Sequence, residues 1–186
     1  MSGADDLQVV EFGLGNEVFA VPVKLVREIL DYAPPANVPN GPDHFVGLTE
    51  VRGQGVPTLD LRRRLGLEPI APTLATRILI LDIPLAERRL TLGVVIDRVI
   101  SVSSYEGSMI EAAPDIGVRW NSQYITGVVR RETGFAVIID AARIFTTEEA
   151  ALAGEGAQPR IAAWQIWTGG NYAAQSLCRC VDSCGA

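Results

Sequence analysis

The sequence predicts a mainly β protein built as two small barrels that share one apolar interface, with short helices and a helix near the C-terminus. Three observations predict it. Between Leu7 and Phe145 the apolar residues come in short runs rich in Val and Ile, separated by Gly, Pro, Asn or Asp, which is the punctuation of strands. Helical spacing is scarce over the same span. The third observation is an internal echo, in which the second half repeats the apolar pattern of the first.

Ten candidate strands follow in order. "LQVVEFGL" and "EVFAVP" are joined across Gly15-Asn16, a dipeptide suited to a two-residue hairpin turn. Next come "LVREILDY", "HFVGLTEVRG" and "GVPTLDL", then "RILILDI", "RLTLGVVI", "RVISVS", "YITGVVRR" and "FAVIID". Short strands joined by tight turns suit barrels or a sandwich rather than βαβ units. Short helices fit after Asp60, in "DLRRRL", and after Asp140, in "DAARIFTTEEAALA", where each aspartate can cap the first free amides. A C-terminal helix is expected over about 140–153.

Two offsets describe the echo. "AVPVKLVREI" overlies "GVVIDRVISV" at 73 residues, placing Val21 on Val94, Val26 on Val99 and Ile29 on Val102. "GVPTLDLRRRL" overlies "GFAVIIDAARIF" at 80 residues with one insertion, placing Asp60 on Asp140 and Arg63 on Arg143. Coincidence among Val-rich segments is the alternative, since β proteins resemble themselves easily. If the repeat is real, each half, of roughly 65 residues, would be marginal alone. Two subdomains are then expected, about 7–70 and 75–140, packed together in one domain over 1–153 and unfolding together. Residues 154–186 are expected to form a flexible extension.

Composition removes several classes of function. The 186 residues carry 22 acidic against 16 basic side chains, net -6, so the surface repels nucleic acid phosphates and anionic lipid heads. The N-terminus "MSGADDLQVVEF" has acids where a secretory signal has basic residues, and no apolar run approaches the roughly 20 residues that span a bilayer. A cytoplasmic protein with no membrane insertion is expected. All three cysteines fall in the last nine residues, leaving the body without a disulfide framework.

The stretch "VRGQGVPTLDLRRRL", Val51 to Leu65, decides between a phosphate loop and a hairpin. It lacks the Lys-Ser/Thr end of a phosphate-binding loop, and Pro57 sits where a dinucleotide loop opens its helix. The hairpin reading fits: Gly53, Gln54 and Gly55 allow positive φ in a tight reversal, and Pro57, without an amide hydrogen, places its strand at an edge or a bulge.

With that hairpin in place, the chain resembles the CheW family of bacterial chemotaxis coupling proteins. The resemblance covers about residues 7 to 150. It rests on "VEFGLGNEVFAVPVKLVREIL", "HFVGLTEVRGQGVPTLDLRRRL", "RILILDIPLAERRLTLGVVIDRVISV", "APDIGVRW", "YITGVV" and "FAVIIDAARIF". Its most specific element is G-x-x-x-x-R-G-x-x-x-P-x-x-D-L-R, met by Gly47, Arg52, Gly53, Pro57, Asp60, Leu61 and Arg62. The resemblance implies two SH3-like five-stranded β-barrels around a common apolar interface. It also implies no catalysis and no cofactor, but an adaptor that links the cytoplasmic tip of a methyl-accepting chemotaxis receptor to the regulatory domain of a CheA-type histidine kinase. Recruitment to membrane-bound receptor arrays would follow.

By the same resemblance, the receptor-facing groove uses Val26, Glu28, Ile29, Val51, Arg52 and Gly53. For Val26 and Ile29 ordinary core is the competing reading. Arg52 has no acid three or four positions away, so it is either a solvated charge or a partner contact. Kinase-facing contacts are implied in "MIEAAPDIGVRWNSQYITG", at Glu111 and Ile116, where relatives often carry a basic residue and a phenylalanine. The reversed charge at Glu111 would shift partner preference, because like charges across an interface cost more than opposite charges gain. "EVRG" also departs from the more usual "NLRG" at Glu50.

Gly47, Gly55, Pro57, Asp60 and Asp140 are expected in structural roles, the two aspartates as caps rather than as an acid-base pair. His44, the sole histidine, stands without a catalytic partner and reads as a surface residue. Arg62 to Arg64 read as a solvated helix face, with Arg62 bracing the hairpin through Asp60. Trp120 and Tyr124 read as packing residues. The tail beyond Glu149 holds Trp164, Trp167 and C-x-C-x-x-x-C, three thiols without a fourth ligand for structural zinc. A cysteine-tail redox or metal-binding enzyme is the competing class of function.

Overall fold

The computed structural model describes residues 6–39, 41–84, 89–112 and 124–145. Its strands are β1 (Leu7–Leu14), β2 (Glu17–Pro22), β3 (Val26–Asp31), β4 (Phe45–Val51), β5 (Gln54–Asp60), β6 (Arg77–Pro84), β7 (Arg89–Ile96), β8 (Arg98–Tyr105), β9 (Ile110–Glu111), β10 (Ile125–Arg131) and β11 (Gly134–Ile139). Helix α1 (Leu61–Arg64) follows β5 and helix α2 (Ala141–Ile144) follows β11. The strands form two sheets, in the orders β8-β1-β2-β11-β10-β9 and β3-β6-β7-β5-β4. Every expected strand is present. The two-residue β9 is additional, being too short to show a period, and it makes the first sheet six-stranded where five were expected.

The repeat is real, but its halves are not the two sheets. The six-stranded sheet takes its leading hairpin, β1 and β2, from the first half and β8 to β11 from the second. The five-stranded sheet takes β3 to β5 from the first half and β6 and β7 from the second. The expected division near 70–75 thus separates repeats, not barrels. Register confirms the equivalence. Ile138 lies opposite Ala20 in the parallel β11–β2 pair; 138 − 80 is 58 and 20 + 73 is 93, and Thr58 lies opposite Gly93 in the parallel β5–β7 pair. Likewise Asp60 N donates to His44 O and Asp140 N to Tyr124 O, both at 2.8 Å. Periodicity specifies a strand and its buried face, not which sheet the strand joins, so this exchange left no mark in the pattern.

Three apolar clusters follow from the exchange. The largest lies between the sheets and includes Val10, Phe12, Leu14, Phe19, Leu79 and Leu81. A second, Val51, Val56, Ile78 and Ile80, fills the barrel formed by the five-stranded sheet, and a third, Val9, Ala20, Val129 and Ile138, fills the other. Alternate residues of β6 therefore face two different cores, Ile78 and Ile80 inward and Leu79 and Leu81 toward the shared interface. That is why "RILILDI" reads as a continuous apolar run. The five-stranded sheet curls until its ends meet: Ala36, beyond β3, bridges Leu48 on the outer edge of β4 through hydrogen bonds of 2.8 and 2.9 Å. Gly47 makes this closure possible, since its φ is 134° and a Cβ there would stand 2.2 Å from Ala36 O.

Both aspartates are helix caps. Asp60 Oδ1 accepts from the amides of Arg62 and Arg63 at 2.9 and 3.3 Å, and Asp140 Oδ1 from those of Ala142 and Arg143 at 3.0 and 3.2 Å. The expected C-terminal helix is described over Ala141–Ile144; its continuation to 153 lies outside the described residues. Pro57 is buried, and β5 lies between β7 and β4 rather than at an edge. Its missing amide hydrogen is tolerated there because pairing with β7 begins one residue later, at Thr58.

Candidate functional site

The β4–β5 reversal is a two-residue turn in which Val51 lies opposite Gln54. Its central residues, Arg52 and Gly53, have φ of 52° and 80°, the left-handed pair that a twisted hairpin requires. Expectation had placed the positive φ values on Gly53, Gln54 and Gly55; Gln54 and Gly55 belong instead to β5. The arginine itself holds the left-handed position, which costs a side-chain-bearing residue about 1–2 kcal/mol.

The geometry gives that arginine a partner. Arg52 Nε lies 3.4 Å from Glu28 Oε1, and Nη2 lies 3.5 Å from Oε2. Arg27 Nε stands 3.9 Å from the same Oε1, which is buried and accepts no hydrogen bond; its contacts are those of an ion pair alone. Glu28 lies on β3 and Arg52 at the end of β4, so the pair joins the two edges of the curled sheet. The acid is 24 residues from the arginine, beyond any search of local spacing. Arg52 keeps 73% of its side chain exposed, and such pairs contribute about 0–1 kcal/mol. The pair does not offset the backbone strain at Arg52.

Beside it runs an apolar edge. Val26 lies opposite Leu81 and Ile29 opposite Leu79, and both leucines belong to the shared interface. Cross-strand neighbours share a face, so Val26 and Ile29 point toward the other sheet at its margin. Val26 is half-buried against the interface core, whereas Ile29 is 40% exposed. Leu48, across the closure from Ala36, is also exposed. Val51 differs from its expected role: it is 5% exposed inside the barrel with Val56, Ile78 and Ile80, so it supports the turn without presenting a side chain. Gly55 has room for a Cβ, 3.7 Å from Leu48 Cδ1, and an ordinary strand conformation.

On the other barrel, Glu111 is exposed on β9 opposite Val128. Ile116 and Trp120 lie outside the described residues, as does the cysteine tail. His44 is half-buried rather than on the surface, and its carbonyl accepts the Asp60 amide.

Two polar constellations were missed in the sequence. The arginine run is not a solvated face. Arg62 Nη1 lies 2.6 Å from Asp97 Oδ2, which also accepts the Gly15 amide at 2.6 Å. Arg63 Nε pairs with Asp60 at 3.5 Å, the role expected of Arg62. Arg64 Nη2 donates to Ile144 O at 2.6 Å and its guanidinium lies over the Tyr124 ring. Arg62 and Arg64 therefore tie the five-stranded barrel to the other one, and partners 35 and 80 residues away leave no local signature. The second constellation is wholly buried Glu11, which meets Arg131, Ser101 and Tyr105 inside the six-stranded barrel. Burial, then the hydrogen bond to Glu11, holds the Tyr105 hydroxyl above the ordinary tyrosine range. Among the described residues no cluster of three metal-ligating side chains occurs, and no helix is long and apolar enough to cross a membrane.

Two barrels around a shared apolar interface, each with a short aspartate-capped helix after its parallel-paired strand, define the architecture. Known proteins agree. A family model described as CheW-like domain matches residues 8–149. The chain is 30% identical to the chemotaxis protein CheW of Klebsiella aerogenes over 141 residues, 76% of this chain and 82% of that one. It is 30% identical to CheW of Bacillus subtilis over 142 residues, 76% of this chain and 88% of that one. Its fold is similar to the crystal structure of the scaffolding protein TtCheW from Thermoanaerobacter tengcongensis, with TM-score 0.68 and 22% identity over 77% of this chain and 90% of that one. The chain belongs to the CheW family.

Proposed function

We propose that the chain is a non-catalytic chemotaxis adaptor that couples the cytoplasmic tip of a methyl-accepting receptor to the regulatory domain of a CheA-type histidine kinase. It works in the cytoplasm and is recruited to membrane-bound arrays through the receptor. The observation that carries this reading is Arg52, held at left-handed φ and largely exposed beside Glu28 and the apolar edge of Val26 and Ile29. An apolar margin with one oriented charge pair suits a helical hairpin seated in a groove. Gly53 serves this site by letting the turn close, and Val51 by anchoring it from beneath.

Glu111 faces the kinase on the second barrel, and Ile116 is the apolar contact of the same partner. A carboxylate there selects a kinase domain bearing a cation opposite it. Binding measured by calorimetry tests the division of labour. Arg52→Ala is expected to weaken receptor-tip binding by about 2 kcal/mol, roughly 30-fold, with kinase binding unchanged. Equal loss for both partners would contradict two separate surfaces.

A further inference from the structure

Glu11 is 0% exposed in the interior of the six-stranded barrel. Its Oε2 accepts from Ser101 Oγ at 3.0 Å and lies 3.0 Å from Arg131 Nη2, while its Oε1 accepts from the Tyr105 hydroxyl. Ser101 Oγ lies 3.3 Å from Ser103 Oγ, which extends the cluster along β8.

The internal repeat supplies a control within the same molecule. Glu11 lies opposite Ala20 and Ile80 opposite Gly93, and Ala20 and Gly93 are the pair related by 73 residues, so Ile80 stands where Glu11 stands. Since 131 − 80 is 51 and 105 − 73 is 32, Val51 corresponds to Arg131 and Tyr32 to Tyr105. In the five-stranded barrel Ile80 and Val51 pack in one cluster with Tyr32 against it. Ser101, opposite Glu11, corresponds to Glu28, opposite Ile80, so the five-stranded barrel carries its carboxylate on β3 and pairs it with Arg52 at the turn. The same fold therefore tolerates apolar residues at the positions of Glu11 and Arg131. A buried ion pair rarely surpasses well-packed apolar residues in stability, so the charged rung calls for a reason other than stability.

The neighbouring strand supplies one. β9 is held by two residue pairs, Val128↔Glu111 and Val129↔Ile110, and is the outermost strand of its sheet. Tyr105 ends β8, the strand before β9, and Arg131 lies two residues beyond Val129 on the partner strand β10. Since Val129 faces Ile110 in the antiparallel register, Arg131 lies past the start of β9, on the same side as Tyr105, and Glu11 holds both strands where the chain enters β9. We infer that Glu11, Arg131 and Tyr105 are positioning residues that fix β9 and so set how Glu111 meets the kinase. This rests on the kinase-facing reading of Glu111 proposed above.

The test uses the full chain carrying Glu11→Ile with Arg131→Val, which copies Ile80 and Val51 of the other barrel. The urea midpoint should not fall, yet the amides of Ile110 and Glu111 should exchange about tenfold faster. Affinity for the CheA-type regulatory domain should drop about tenfold, with receptor-tip affinity unchanged. Tyr105→Phe keeps the ion pair and carries the test should the double variant not fold; it should speed β9 exchange to a smaller degree. Unaltered β9 exchange in a folded variant overturns the inference. Faster exchange with undiminished kinase binding upholds the clamp on β9 but overturns the kinase-facing assignment of Glu111.

Discussion

A single arginine carries a local cost that its own contacts do not offset. Arg52 occupies a φ of 52° that glycine would adopt freely, and its ion pair with Glu28 is too exposed to compensate. Arg52→Gly should therefore leave stability unchanged or raise it by about 1 kcal/mol, the relief of strain being partly offset by a freer unfolded chain. Chemical denaturation measures this; a loss above 1 kcal/mol would mean that the arginine is structural. The sequence motif made Arg52 and Gly53 legible as a turn. It could not reveal Glu28 as the partner, because a curled sheet brings together edges that sequence spacing keeps apart. Val51 was misplaced for a related reason: side chains alternate along a strand, and only the three-dimensional closure tells which face is inside.

At the scale of elements, almost every strand and both caps were legible. Val and Ile runs between glycines and prolines need no tertiary knowledge, and an aspartate before "LRRR" or "AARI" caps two amides wherever the helix goes. The two-residue β9 and the sheet position of β5 were not, since both depend on pairing partners far along the chain. Gly47 shows the same limit. Its place in a motif identified it as structural, but the reason is the backbone of Ala36 that passes where a Cβ would stand. Gly47→Ala should push Ala36 off β4, open the barrel and cost about 2–4 kcal/mol, from lost packing and unpaired amides together with strain at positive φ. Receptor-tip binding should fall with it, because the opening displaces Glu28 from Arg52. Loss of stability below 1 kcal/mol would show that the bridge is dispensable.

For the whole molecule, the exchange of hairpins between repeats makes the barrels interdependent. Neither repeat contains a complete sheet, and the largest apolar cluster is built from both. Urea unfolding followed by far-ultraviolet circular dichroism and by tyrosine fluorescence should give one coincident transition; two separate midpoints would show that the barrels are independent. The echo in the sequence foretold a repeat and a shared interface, while the strand exchange and the struts from Arg62 and Arg64 came only with the fold. A pair of barrels joined by a shared core and by arginine struts suits an adaptor. The most direct measurement is sedimentation of the full chain with a receptor cytoplasmic tip and a CheA-type regulatory domain together. A complex containing all three is the expected result; mutually exclusive binding of the two partners would contradict the account.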